Sequence, residues 1–138
     1  ILQTIHAHNR WLVVMVVVIA ALVMLFGALT KRSYGKTAHR VMIAFSSIIG
    51  IQWALGLILF VLMGWFRSPL HWEHAVTNTL ALAVAHLHIP MRKRLMRQAA
   101  DPEGPLDNRL YWIGLLAVGL TMLFVYFGVA RLNGWAMS

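Results

Sequence analysis

The chain contains no cysteine, only four acidic residues and only 12% charged side chains among its 138 residues. The absence of cysteine excludes disulfides, thiolate-held iron–sulfur clusters, covalently attached c-type haem and a cysteine nucleophile. The scarcity of charge excludes an ordinary water-soluble domain, in which charged residues run at about 25%. What stands in their place is apolar: 60% of the residues are hydrophobic, and the mean hydropathy is +0.72. Such a chain belongs in a membrane. Each helical span takes about 20 residues, so the length accommodates four spans and no separate soluble catalytic domain.

Uncharged apolar runs predict membrane-spanning helices over about 11–29, 41–66, 74–91 and 110–130. The first run has no basic segment ahead of it and no small-residue cleavage site before the charged loop, so a retained span is expected rather than a signal peptide. The third run is the shortest and carries Thr77, Asn78 and Thr79 near its start. It is counted as a span because an even number of crossings explains the charges. Short connections favour an antiparallel, up-down-up-down bundle. The expected fold is therefore all-α, an integral membrane bundle of four transmembrane helices in one domain covering 1–138.

The formal charge of +8 and a sequence pI near 11.2 would suggest nucleic-acid binding in a soluble domain. In a membrane chain the same excess sets orientation, and no nucleic-acid partner is expected. Lys31, Arg32, Lys36 and Arg40 fall between the first two runs, and Arg92, Lys93, Arg94, Arg97 and Arg109 between the last two. These are nine of the twelve basic residues. The positive-inside rule places both basic loops in the cytoplasm and both termini on the outer side. The expected location is the bacterial cytoplasmic membrane, with lipids as the immediate partners. The stretch 101–108, with two prolines and a glycine, reads as a polar loop without chemistry.

With that topology the seven histidines sort by depth. His6, His8, His71 and His74 lie near the outer interface, and His39, His86 and His88 near the inner one. Trp65, Trp72 and Trp135 crowd the outer boundary, where amphipathic rings favour headgroup contact. A b-type haem in a helical bundle is held by two neutral imidazoles from different helices at similar depth. His6 and His74 meet that requirement. Arg10, four residues after His6 on the same helical face, is placed to pair with a haem propionate. The bland alternative is that these histidines are interfacial polar residues at helix ends. A second haem would need His88 or His86 to find His39 on another helix, a weaker arrangement.

In the second run, Ser46 and Gly50 form a small-xxx-small pair that reads as helix packing. Gln52 is different, because an amide near midplane must find a partner or a cavity. A bond to a facing helix is the default reading, and contact with a quinone or a haem edge the alternative. The methionines inside the runs read as packing residues.

The stretch His6-Ala7-His8-Asn9-Arg10-Trp11-Leu12-Val13 resembles the His-Ser-Gly-x-Arg-Trp-Leu-Val opening of small bacterial four-helix membrane proteins labelled cytochrome b-like. Gln52, Gly56 and Phe60 are similar to that family's second-helix pattern, and Glu73-His74 and Ala85-His86 to the opening and close of its third helix. The resemblance touches three of four helices. It implies haem b and electron transfer in a respiratory or photosynthetic chain, with His6, Arg10, Gln52, His74 and His86 as the matching cofactor-binding positions; it does not assign the iron ligands, for which the depth argument selects His6 and His74. His8 and His88 depart from the pattern, and the departure at His8 leaves His6 and His8 both open as the first-helix ligand. The leading expectation is a small cytochrome b-like electron carrier, with quinone as a further cofactor and a larger membrane electron-transfer complex as partner. The competing expectation is a non-catalytic accessory subunit binding lipid, quinone or pigment. A transporter has less support, because the apolar runs hold no Asp, Glu, Lys or Arg.

Overall fold

The computed structural model describes residues 1–101 and 104–132. Trp135 lies outside them, as do Pro102 and Glu103. The chain is all-helical: α1 (Leu2–Leu29), α2 (Lys36–Leu62), α3 (Pro69–Ala85), α4 (His88–Gln98) and α5 (Arg109–Ala130), with a 3₁₀ turn at Trp65–Arg67 before α3. Three of these helices, α1, α2 and α5, are long and apolar enough to cross a membrane.

Helix boundaries differ from the hydropathy reading in three places, each with a local cause. α1 begins nine residues earlier than its apolar run, so His6 and Arg10 stand on consecutive turns of one helix rather than in a preceding loop. α2 stops at Leu62, short of residue 66, because Gly64 takes φ +66°, a left-handed conformation natural to glycine. The third run is not one helix to residue 91. α3 ends at Ala85, the chain turns through His86 and Leu87, and α4 begins at His88. Pro90 explains the break, since it has no N–H to give the His86 carbonyl and its ring would collide with that carbonyl in a continuous helix. At its start α3 has Pro69 in the first turn, where the missing N–H costs nothing.

α1 packs on α2 and α5, and α3 packs on the same two helices, so the four long helices form a ring with α1 and α3 on opposite corners. Adjacent helices run antiparallel: Asn9 meets Gln52, Trp53 meets Thr79, and His74 meets Gly128. The centre is filled by Val13, Met24, Met42, Phe45 and Val118, all at most 2% exposed. The outer surface is also apolar. Leu22, Phe26, Leu62 and Leu116 are each more than half exposed, and only 33%, 28% and 39% of the apolar windows of α1, α2 and α5 are buried within the chain. Outward side chains of that kind need a hydrocarbon neighbour.

The two connections at the basic end are tied to each other. The Tyr34 N–H donates to the Leu106 carbonyl at 2.9 Å, and the Leu106 N–H returns to the Tyr34 carbonyl at 3.0 Å. Asn108 donates its side-chain amide to the carbonyls of Gly27 (3.0 Å) and Arg32 (2.8 Å), satisfying the end of α1. The polar loop of the sequence reading thus contains a buried leucine and a helix cap. Tyr34 packs edge-on against Tyr111 at 5.1 Å between centroids, and burial pushes its hydroxyl up to about 12, partly opposed by the nearby Arg92 charge. The folded state therefore holds the Tyr34 proton through a window, from about 10 to about 12, in which the unfolded chain has lost it. Stability contributed by this group is present below pH 10 and falls as pH rises through that window. Tyrosinate absorbance during alkaline titration should show one of the three tyrosines ionising last, coincident with loss of the fold.

Candidate functional site

At the end of the ring opposite the basic loops, the helices part around a cavity of about 280 Å³. α1 contributes His6 and Arg10, α2 contributes Gln52 and Phe60, α3 contributes His71, His74 and Asn78, and α5 contributes Val125 and Val129. Four of the five cofactor positions read from the sequence, His6, Arg10, Gln52 and His74, therefore line one space. The fifth, His86, does not. Twelve residues beyond His74 on a rise of 1.5 Å each, it lies about 18 Å further along the helix axis. Its Nδ1 donates to the Leu82 carbonyl of its own helix at 2.9 Å.

The His74 ring is oriented by α5. Its Nδ1 lies 2.8 Å from the Gly128 carbonyl oxygen, which only accepts, so Nδ1 carries the hydrogen and Nε2 holds the lone pair. Asn78 sits 3.3 Å from the same Nδ1, but its amide donates to the His74 carbonyl at 2.7 Å, which leaves the ring assignment intact. A histidine fixed by a backbone carbonyl with its other nitrogen free is the form metal centres use.

His6 enters from the opposite corner of the ring. Gly56 lets it lie close to α2: a methyl group there would stand 3.0 Å from His6 Cε1. His6 Nδ1 is buried and has no hydrogen-bond partner among the described residues. His8, two residues on, points elsewhere on the helix; it is exposed, and its Nδ1 donates to the Thr4 carbonyl at 2.8 Å. Of the two histidines left open by the sequence, His6 is the one facing the cavity.

Gln52 makes the interhelical bonds that were its default reading. Its Oε1 accepts from Asn9 Nδ2 at 2.8 Å, and its Nε2 donates to the His6 carbonyl at 3.1 Å. Both ends of the amide are thus committed to α1, directly beneath His6. Gln52→Leu should cost about 1–2 kcal/mol by removing both bonds and stranding the Asn9 amide. Thermal unfolding in detergent, with Gln52→Glu or Asn9→Ala as comparison, reads the effect.

Sequence reasoning did not select His71 as a site residue or notice Asn9. His71 stacks on Trp65 at 4.9 Å and 24° beside the cavity, and its Nδ1 is buried without a hydrogen-bond partner among the described residues. Its i, i+3 relation to His74 was the available signal. Asn9 carried none beyond being polar in a helix, because its partner is 43 residues away. Among the described residues no three His, Asp or Glu side chains gather as a metal site. Two imidazoles would nevertheless be a sufficient protein ligand set for a b-type haem. The chain matches no protein-family model, no curated protein and no solved structure.

Proposed function

We propose that this is a small integral membrane cytochrome of the b type, carrying electrons beside a larger membrane complex of a respiratory or photosynthetic chain. The observation that carries the reading is that His6 and His74, from helices at opposite corners of the ring, line the same cavity. Two imidazoles reaching one space from opposed helices would together hold a haem iron. The resemblance of the first three helices to cytochrome b-like proteins supports the same conclusion.

The residues present fit a haem on the chemistry of their donors. His74 offers Nε2 with its tautomer set by the Gly128 carbonyl, and His6 brings a buried nitrogen that no group among the described residues satisfies. Arg10 lines the same space and supplies a positive charge for a propionate. Phe60, Val125 and Val129 line its apolar part, which keeps water from the site. When bound, haem b supplies one-electron exchange between ferric and ferrous iron. The protein's part is to hold two neutral imidazoles at one depth, to position them through Gly128 and Gln52, and to neutralise carboxylates at the rim. A quinone headgroup at the cavity mouth is the electron donor or acceptor that its polar lining admits.

In this reading all four ring helices cross the membrane, with the basic loops cytoplasmic and both termini outside. α3, at 17 residues, spans about 26 Å against a hydrocarbon core of about 30 Å. It packs between α2 and α5, so much of its polar surface meets protein rather than lipid. The deciding experiment is a reduced-minus-oxidised visible spectrum of protein purified after haem-replete expression. A b-type α band is the expected result. Its absence, with co-purification of a large assembly, would replace this reading by that of an accessory subunit.

A further inference from the structure

The basic end of the ring holds a second group of buried nitrogens that the cavity does not use. His88 opens α4 and is 2% exposed. Its Nε2 lies 3.3 Å from Ser46 Oγ on α2. The Ser46 hydroxyl hydrogen is directed at the carbonyls of Met42 (3.0 Å) and Ile43 (3.2 Å), so the oxygen accepts from His88 Nε2–H. His88 Nδ1 therefore keeps its lone pair. It is buried and without a hydrogen-bond partner among the described residues, and the same is true of His39 Nδ1 and Arg92 Nε.

These three groups form one neighbourhood. Arg92 follows His88 by one turn of α4, and His39 stands two turns before Ser46, the His88 partner, on the same face of α2. A buried polar group left unsatisfied costs about 1–3 kcal/mol, and three together call for a shared partner. Their chemistry specifies it. Arg92 Nε–H can only donate and needs an acceptor, most favourably an anionic oxygen. His88 Nδ1 accepts and needs a hydroxyl or amine donor. Lys36, Arg40, Lys93 and Arg94 are exposed on the same two helices and add an attractive field for an anion.

We propose that His39, His88 and Arg92 form a specific site for the headgroup of an anionic glycerophospholipid with free hydroxyls, of the phosphatidylglycerol type. The phosphate oxygens accept from Arg92 Nε–H and His39 Nδ1–H, and a glycerol hydroxyl donates to His88 Nδ1. The proposal rests on the membrane-spanning part of the preceding reading and is independent of its cofactor. A site of this kind clamps α4 to α2 at the bilayer surface.

The test is thermal unfolding of the delipidated full chain in a neutral detergent, titrated with phosphatidylglycerol, phosphatidylcholine or soluble glycerol phosphate. Phosphatidylglycerol should stabilise the wild type at far lower concentration than phosphatidylcholine. Arg92→Gln should weaken that response about tenfold, while Arg97→Gln, an exposed arginine on the same helix, leaves it intact. His39→Gln gives a second reading if Arg92→Gln does not fold. Equal responses of the Arg92 and Arg97 variants would reduce the effect to diffuse surface charge and overturn the site. An equal shift from glycerol phosphate would overturn the lipid as its source. Release of the chain from membranes by alkaline carbonate would instead overturn the membrane reading before any lipid is added.

Discussion

His74→Ala is expected to abolish the b-type α band, whereas His71→Ala, one turn earlier on the same helix, is expected to retain it. The contrast follows from how the two rings are held. His74 is anchored across the helix interface by the Gly128 carbonyl at 2.8 Å, which leaves Nε2 as the nitrogen that would coordinate in the proposed site. His71 is stacked on Trp65, and its Nδ1 has no hydrogen-bond partner among the described residues. His6→Ala should match His74→Ala, because in the proposed site both imidazoles would hold the iron. His8→Ala should leave the spectrum unchanged, since that ring is exposed and bonded to its own helix. Each variant is to be checked by gel filtration in detergent, and imidazole added to His74→Gly should restore part of the band. An undiminished band in folded His74→Ala would sink the ligand assignment. A band lost equally in His71→Ala would move it to a different pair.

Gly27→Ala should be the most damaging single-carbon change in the helices. A methyl group at Gly27 would occupy the space of the Tyr111 ring, which is 6% exposed. The ring is held on its other side, donating its hydroxyl to the Ser33 carbonyl at 3.3 Å and meeting Tyr34 edge-on. Relief therefore requires either the Tyr34–Leu106 tie to open or α1 and α5 to separate. Overpacking of this kind costs about 1–3 kcal/mol and sometimes more, and the upper part of that range is expected. The measurement is the unfolding midpoint in detergent, with the double variant Gly27→Ala/Tyr111→Ala as control. Because the second substitution removes the collision, the double variant should be less destabilised than the sum of the two singles. Strict additivity would show that the clash is absorbed elsewhere. Gly114→Ala offers a contrast, since its added methyl would meet the flexible Met24 thioether rather than a ring.

Both outcomes depend on contacts of different legibility. The helical class and the apolar stretches followed from composition and hydropathy alone, because an uncharged run of twenty residues has few folded alternatives. That His6 and His74 would line one space was also legible, since both sit near helix starts that an antiparallel ring brings to one level. The break after Ala85 could have been read from Pro90, whose missing N–H ends helices by a local rule. The choice of His6 over His8 could not be read before the start of α1 was known. Two residues on a helix are about 200° apart, and only the rotation of α1 against α2, permitted by Gly56, decides which ring faces inward. Asn9 and Gln52 had no local signal for each other, and neither did Gly27 and Tyr111 or Tyr34 and Leu106.

What the sequence determined by itself was the kind of chain: long apolar stretches without charge, divided by basic loops. Those properties are sums over neighbouring residues and survive without any tertiary contact. What only the tertiary structure decided was which polar atoms remain without a protein partner. That depends on the rotation and register of helices whose contacting residues are forty to eighty positions apart in the chain. The lack of cysteine and the scarcity of carboxylates narrowed the ligand chemistry to histidine and arginine. The packing of the helices then separated two groups of them, one around the cavity at the termini and one at the basic end.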